Sequence, residues 1–593
     1  MATSWRIKAA LSDKTEIASS DSPIIGATSI LAPMGPKKWT FFKKGDSNGI
    51  LNAFGYPSKK YPAIQDLLDI NAKCGMWACR PYKGGKFGGV FVTKNGTVPF
   101  EEGVSTKKIE SFTNVTTSTF VGDADGEKTE FTVSVNRYVE SSAKVYVDES
   151  LKTSNVNVVV SDNVATITFD EAPKSGKITL EYKMDVSDTI FVLYNHDMQK
   201  DNLAVKVIKS KDVDDAFSIA IYRFDEINNV WEEITSSPKV VGLKDNSKDN
   251  YGKNIFIERV FDDDAQILMS AQLVNADFDV STFEDDTSYV KLNGGELGEE
   301  CTDSDLPILY DELKDTTKYQ LKFCFDSNAS SSVVAKFEEL RNNSQKYCRF
   351  LYCAPVLSAD EIITSPDSAH FGVTSNRGLY CYVLNHGIHT DLYNGADFPC
   401  ANMGIIAGKI VDMLSLGGGA PMWVNGDGDV GGQLGSSITK LINSDVTEEQ
   451  LEQLDTLGLN AIVNDPTYGM MIVSQKTRQV KLTVFSYIAQ SSITDTIMSR
   501  IIAEVFPSKI GKVLDGTLFT KTTLGMEQIV RTYAPWLEDW ICLCDTTNNT
   551  DETRQNQILN CNIGLVYRGF AEKIILNVAV GSIGTNVQEL VSK

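Results

Sequence analysis

The chain has 593 residues, with 78 Asp and Glu against 56 Lys and Arg for a net charge of −22, and it is 42% hydrophobic and 23% charged. At roughly 150 residues per domain, the length predicts about four domains, and the composition is globular rather than disordered or collagen-like. An acidic excess of this size argues against nucleic acid or an anionic membrane as partner, because their phosphates would be repelled.

Residues 1–20 read as an N-terminal arm. Trp5, Ile7, Ala9 and Leu11 alternate as in an extended strand, flanked by polar SDKTE and ASSDS. Such a strand needs a sheet to join, either its own or another chain's. The opening MATSWRIKAALSDKTEIA has no long apolar run, so no signal peptide is expected. Residues 21–104 read as mixed α/β. Ile24 to Leu31 is strand-like and Met34-Gly35-Pro36 is a turn. Pro62 to Lys73 reads as an amphipathic helix with Ile64, Leu67, Leu68 and Ile70 on its apolar stripe, Gly75 as its cap, and Met76 to Cys79 as a buried strand.

Residues 105–186 change character. TEFTVSV, AKVYVD, VNVVV, VATITFD and KITLEYKM are short strands beside the turns GDADGEK and APKSGK, which predicts a small all-β sandwich inserted into an α/β core. Strands continue through residues 187–295 in NLAVKV, FSIAIYRF, NIFIERVF and AQILM. Residues 296–400 return to α/β: Tyr319 to Phe323 alternates as a strand, Asp326-Ser327 is placed to cap a helix over Ser332 to Gln345, and CRFLYCAP is a buried strand. In 401–580, helices are expected near Asn402–Leu414, Thr447–Thr456, Ile493–Phe506 and Leu524–Trp540, then a strand with Ile574, Leu576, Val578 and Val580 on one face. Residues 581–593 read as a C-terminal arm. No short repeat or low-complexity block is present.

The search for chemistry yields no catalytic, cofactor or metal site. The 11 cysteines form no CxxC pair and read as buried reduced thiols, which suits assembly in a reducing cytoplasm. Of the four histidines, His386 and His389 have HxxH spacing, but NHGIHTDLYNGAD reads as a loop and lacks the zinc-protease pattern. Asn425 to Gly432, NGDGDVGG, has alternate ligand-type residues, but Val430 stands at the glycine position of a calcium loop and Ser436 at its glutamate position. Its fit to a dinucleotide loop is spoiled by two aspartates that would face the pyrophosphate. YKGGKFGGV is not a phosphate loop, and the acidic runs at 261–265 and 283–286 read as solvated faces. The best membrane candidate, MGIIAGKIVDMLSLGGGAPMWV, is broken by Lys409 and Asp412.

Several segments, in order, carry a resemblance. IIGATSILAPMGPKKWTFFKKGDSNGILNAFG holds Gly35-Pro36 and Phe54-Gly55, and YPAIQDLLDINAKCG leads to MWACRPY. KDNLAVKV, FSIAIY, WEEIT, NYGKNIFIERV and LNGG at 292–295 follow. Then come GADFPCANMGIIAGKIVDM, GGGAPMWVNGDG, LEQLDTLGLNAIVNDPTYGMMIVSQKTRQ, SYIAQSSITDTIMSRIIAEVF and WICLCDTTNNTDETRQNQILNCNIGLVYRGFAEKIILNVAV. In this order they resemble the contractile tail sheath proteins of long-tailed bacteriophages over nearly all of the chain except residues 105–186. One departure is that Met470, Met471 and Ile472 stand where the family usually has a tryptophan. The insert, through GDADGEKTEFTV and AKVYVDESL, resembles small β-modules of other phage virion proteins.

The resemblance implies a mixed α/β (α+β) multidomain sheath core with an inserted all-β sandwich and extended terminal arms. It implies self-assembly into stacked sixfold rings around a tail tube protein, with baseplate and tail terminator proteins as further partners, and contraction that drives the tube through a host envelope. Trp5, Ile7, Ala9 and Leu11, and Ile574, Leu576, Val578 and Val580, would be exchanged between subunits as added strands. Glu527, Arg531, Glu538, Asp551, Glu552 and Arg554, on helices at Leu524–Trp540 and Asp551–Leu559, are candidates to face the tube. The particle would be a virion tail assembled in the host cytoplasm. No enzyme activity, cofactor, nucleic acid or membrane insertion is implied. The alternative is a non-contractile virion or surface-binding protein decorated by the β-module.

Overall fold

The computed structural model describes residues 24–569, apart from 37, 101–113, 136, 196–202, 226–229, 235–237, 263–268, 297, 374, 391–395, 416–431, 435–439, 444, 467–468 and 480. Both expected arms, including Trp5, Ile7, Ala9, Leu11, Ile574, Leu576, Val578 and Val580, lie outside the described residues, as do His196 and most of the 425–432 glycine loop.

The organising element is an eight-stranded sheet in the order Thr40–Phe42, Gly75–Cys79, Ile25–Ser29, Phe323–Asp326, Arg349–Cys353, Leu379–Val383, Asn460–Asp465, Gly469–Ile472. The six inner strands are parallel, and each outermost strand is antiparallel to its neighbour. Strands buried on both faces carry continuous apolar runs rather than alternation. Thus Phe323, Phe325, Leu351, Cys353, Tyr380 and Tyr382 face one layer, which includes helices Ala63–Asn71 and Met403–Ser415. Cys324, Phe350, Tyr352, Leu379, Cys381 and Val383 face the other, which includes helices Ser331–Asn343 and Glu448–Thr456.

Between the third and fourth strands of this sheet in chain order, the polypeptide is almost wholly β. Thr189–Asn195 and Gly89–Thr93 form the centre of a four-stranded sheet, which packs on the sheet holding Leu203–Lys209 and Ala216–Asp225 through Phe191, Phe217, Ile219 and Phe283. Residues 114–185 form two antiparallel sheets, one ordered Val156–Ser161, Val164–Phe169, Glu130–Ser134 and the other Asn114–Asp123, Lys177–Asp185, Lys144–Val147, Ser150–Lys152. Phe131, Val145, Ile167, Ile178 and Leu180 fill the space between them. The same core runs on into Phe91, Phe100 and Tyr194 of the four-stranded sheet, which roots the two sheets there.

Several sequence expectations need correcting. Gly75 does not cap the helix before it: the helix ends at Asn71 with Ala72 as its C-cap, and Gly75 opens a strand where a Cβ would come within 2.6 Å of the Phe41 ring. The alternation at Tyr319 to Phe323 is not a strand. Tyr319 and Leu321 are buried loop residues, and the strand is Phe323–Asp326. NIFIERVF is not a strand but contains the short helix Ile257–Asp262, whose Ile257 and Phe261 share one face at helical spacing. The helix cap after Asp326 is Ser330, whose hydroxyl accepts from the Val333 amide; Asp326 instead accepts from the amides of Asn328 and Ser330. The HxxH stretch is not all loop: Gly387–Thr390 is a strand. His389 Nε2 lies 2.5 Å from Asn402 Oδ1 and His386 Nε2 lies 2.9 Å from the Ala354 carbonyl, so the two Nε2 atoms have separate structural partners.

One buried carboxylate fixes the helix layer. Gly404 sits so close to the Ala63–Asn71 helix that a Cβ would lie 2.0 Å from the Asp66 carbonyl oxygen, and its amide donates to Asp66 Oδ1 at 2.9 Å. Burial pushes the Asp66 carboxyl up to about 6 from an ordinary 3.8, against the pull of the Gly404 amide. The folded protein therefore binds this proton more tightly than the unfolded chain. The resulting stabilisation is complete below the unfolded value of 3.8 and is lost as pH rises through about 6. Asp66→Asn keeps an oxygen for Gly404 and removes the buried charge. It is expected to raise stability at pH 7 by on the order of 2 kcal/mol and to flatten the pH dependence between 4 and 7, read by urea unfolding at a series of pH values.

Candidate assembly surface

The C-terminal unit is built on the helix Ile488–Arg500, which is buried on two sides for different reasons. Gln490, Ser491, Ser492 and Asp495 are buried polar residues turned toward the large sheet, whereas Ile493, Ile497, Ile501 and Val505, four apart, face a separate apolar core. Much of the polar side is engaged, although Gln490 Oε1 is buried without a hydrogen-bond partner. Asp495, 0% exposed, accepts from Arg341 at 2.8 Å through one oxygen and from Arg377 at 2.8 Å through the other. Arg349 donates to the Ser492 hydroxyl, the Ser492 carbonyl and the Thr496 hydroxyl. Three arginines, one from the helix Ser331–Asn343, one from the strand Arg349–Cys353 and one from the turn before Leu379–Val383, thus clamp one helix of the C-terminal unit.

The helix widens into a π-turn over Ile501–Val505, then tightens into a 3₁₀ turn that ends at Ser508. Asp515 then caps the helix Gly516–Arg531, accepting from the Leu518 amide, and Phe519, Met526, Ile529 and Val530 complete the apolar core. This helix stops at Arg531, not at Trp540 as the sequence suggested. Pro535 sits in a 3₁₀ turn over Ala534–Trp536, and Leu537–Leu543 is a strand. That strand pairs antiparallel with Asn562–Tyr567 in a two-stranded ribbon.

The ribbon has one face on the core, through Trp540, Cys542, Ile563, Leu565 and Tyr567. Its other face shows Ile541, 61% exposed, and Val566, 51% exposed. Among the described residues no third strand pairs with either outer edge. An isolated two-stranded ribbon is marginal in water, and free strand edges are templates for pairing with another chain. The 545–560 loop joining the strands is tied by asparagines: Asn548 donates to the carbonyls of Leu543 and Asn560, and Asn549, fully buried, donates to Asp545 and Asn560 and accepts from the Asn560 amide.

The six tube-facing candidates all fall in this unit. Glu527 and Arg531 lie on the Gly516–Arg531 helix and pair with each other at 3.4 Å. Asp551, Glu552 and Arg554 lie on the short helix Asp551–Gln555, where Arg554 pairs with Asp551. Glu538 is on a strand rather than a helix and is exposed. The structure therefore joins four of them into two local ion pairs. What sequence reasoning missed is the ribbon itself. Its signals were Pro535 and the alternation of Ile563, Leu565 and Tyr567.

All eleven cysteines are free thiols, and among the described residues there is no group of three or more His, Cys, Asp or Glu placed to hold a metal. No described helix is long and apolar enough to cross a membrane.

No protein-family model and no curated protein matches the chain. Among solved structures it is similar to the sheath tail protein of Desulfitobacterium hafniense, at 8% identity and TM-score 0.41, over 90% of this chain and 92% of that one. It is similar to the sheath tail protein Lin1278 of Listeria innocua, at 10% identity and TM-score 0.43, over 89% and 90%. It is also similar to the helical sheath of the anti-feeding prophage in its contracted state, at 15% identity and TM-score 0.36, over 48% of this chain and 78% of that one.

The clamp can be tested apart from any assembly. Asp495→Ala leaves Arg341 buried without its carboxylate and is expected to cost about 3–5 kcal/mol in urea unfolding. Arg531→Ala breaks only an exposed pair and is expected to cost less than about 0.5 kcal/mol.

Proposed function

We propose that this chain is the structural subunit of a contractile tail sheath. It polymerises as stacked sixfold rings around a tail tube and is bounded by baseplate and terminator proteins. Contraction drives the tube through a host envelope during genome delivery. The observation that carries this reading is the ribbon Leu537–Leu543 with Asn562–Tyr567, whose two outer edges lack partners among the described residues. Each subunit would receive on that ribbon the terminal arms of neighbouring subunits, residues 1–20 and the strand at Ile574, Leu576, Val578 and Val580. Backbone hydrogen bonds of the added strands would tie ring to ring. The ordered series of segments resembling sheath proteins supports the same reading, as do the outward Ile541 and Val566.

The work in such a particle is mechanical. Subunit cores move from one packing to another, a switch between two discrete arrangements, while the exchanged strands keep the chain connections. The sandwich at residues 105–186 decorates the outside of the particle, a virion tail assembled in the host cytoplasm. Glu527, Arg531, Glu538, Asp551, Glu552 and Arg554 face the tube. A second reading, a non-contractile virion or surface-binding protein, is favoured by one feature: Phe120, Leu151, Val159 and Val164 are exposed on the sandwich.

Two experiments separate the readings. Negative-stain microscopy of the full chain is expected to show long hollow cylinders, which vanish when residues 1–20 are deleted although circular dichroism of the core is unchanged. Isolated particles from both forms would favour the second reading. If the tube lies against the Asp551–Gln555 helix, Asp551→Lys with Glu552→Lys is expected to reduce co-sedimentation of the tube protein at least tenfold. Self-assembly of the sheath alone would be unaffected.

A further inference from the structure

Two cysteines stand at the end of the ribbon. Leu543 pairs with Asn562, so Cys544 leaves one strand exactly where Cys561 enters the other, at the next rung. Residues directly opposite on antiparallel strands have Cα atoms about 4.5–5.5 Å apart, within the range of about 4.4–6.8 Å that a disulfide spans. Side chains alternate along a strand, so Cys544 shares a face with Cys542, and Cys561 shares the same face with Ile563. Cys544 Sγ accepts from Asn549 Nδ2 at 3.8 Å, and both cysteines pack against the same apolar core. The asparagine ties from Asn548 and Asn549 to Asn560 hold both strand ends in this register.

Access is unequal. Cys561 is partly buried, whereas Cys544 is 2% exposed. Cys324 and Cys348 also have sulfurs only 3.8 Å apart, but both are sealed within the core of the large sheet.

We propose that Cys544 and Cys561 form a redox-dependent disulfide that closes the 545–560 loop, with a low-molecular-weight disulfide such as oxidised glutathione as oxidant. The Cys561 thiol loses its proton to water and attacks one sulfur of the oxidant, forming a mixed disulfide and expelling one thiolate. The Cys544 thiol then loses its proton and attacks Cys561 Sγ, expelling the second thiolate. Two protein thiols are oxidised and one small disulfide is reduced to two thiols, so atoms and electrons balance. Burial pushes the Cys561 thiol up to about 12 and raises that of Cys544, so little thiolate exists at neutral pH and the pair closes slowly. It stays open where thiols are kept reduced and closes in an oxidising medium. The chemistry does not depend on the sheath reading. Its local effect is to staple the loop that carries the Asp551–Gln555 helix.

The test is to incubate the native full chain with oxidised glutathione, block remaining thiols with a maleimide, and digest with trypsin without reduction. Cleavage after Arg531, Arg554 and Arg568 places Cys542 and Cys544 on peptide 532–554 and Cys561 on peptide 555–568. The expected product is these two peptides joined, two hydrogens lighter than their sum plus one maleimide on Cys542, with fragmentation placing the link at Cys544. The link should persist in Cys542→Ser and disappear in Cys544→Ser, which then carries glutathione on Cys561. Glutathione on Cys561 of the unaltered chain without a link, a link through Cys542, or no reaction at Cys561 while Cys301 is modified would each overturn the proposal.

Discussion

The C-terminal unit holds its place through one buried carboxylate. Asp495 takes an arginine on each oxygen, Arg341 from the helix layer and Arg377 from the turn ahead of the strand Leu379–Val383. Arg349, at the start of another strand of that sheet, holds the next turn of the same helix at Ser492 and Thr496. Removing charges from water is costly and is offset only where geometry is good and the remaining hydrogen bonds are made. The clamp meets most of that condition with bonds of 2.6 to 3.1 Å, leaving Arg377 Nη1 buried without a hydrogen-bond partner. An apolar contact of the same area would let the helix slide or rotate, whereas directed ion pairs specify one orientation. The position of the ribbon, the loop and the candidate surface charges follows from that orientation.

The rest of the molecule supports this arrangement by layers. The parallel sheet is sealed on both faces, so it can act only as a scaffold and presents its chemistry at its ends and in its attachments. The β regions between Gly89 and Lys291 leave the scaffold after its third strand in chain order and return before its fourth, and are held to one another through the aromatic contacts Phe91–Phe100 and Phe191–Phe217. The acidic surplus keeps the large outer surface soluble. On the ribbon, strand edges and the apolar side chains of Ile541 and Val566 are exposed together.

The sequence revealed most where a single force decides. Double-sided burial made CRFLYCAP readable as a strand, and amphipathic spacing made Pro62 to Lys73 readable as a helix. It failed where tertiary packing chose between two local options. The apolar run in NIFIERVF suits a strand by composition, but the spacing of Ile257 and Phe261 turns it into a helix beneath Met269–Leu273. Gly75 looked like a cap because glycine often ends helices, yet its role is to admit the Phe41 ring. The helix at Leu524–Trp540 was overextended across Pro535, which hid the strand Leu537–Leu543 and with it the ribbon. Glu527 with Arg531 and Asp551 with Arg554 stand four and three residues apart, the spacing of helix ion pairs, and that pairing was legible in the sequence but not drawn from it. The Asp495 clamp was invisible because its arginines come from 118 to 154 residues away in the chain.

The central claim is that the ribbon receives strands from other subunits. Hydrogen–deuterium exchange of the amides in Leu537–Leu543 and Asn562–Tyr567, compared between dispersed chain and sedimented polymer, tests it most directly. Strand addition predicts that the outward-facing edge amides exchange rapidly in the dispersed chain and become protected in the polymer, while amides paired within the ribbon change less. Equal exchange of the edge amides in both states would contradict the account.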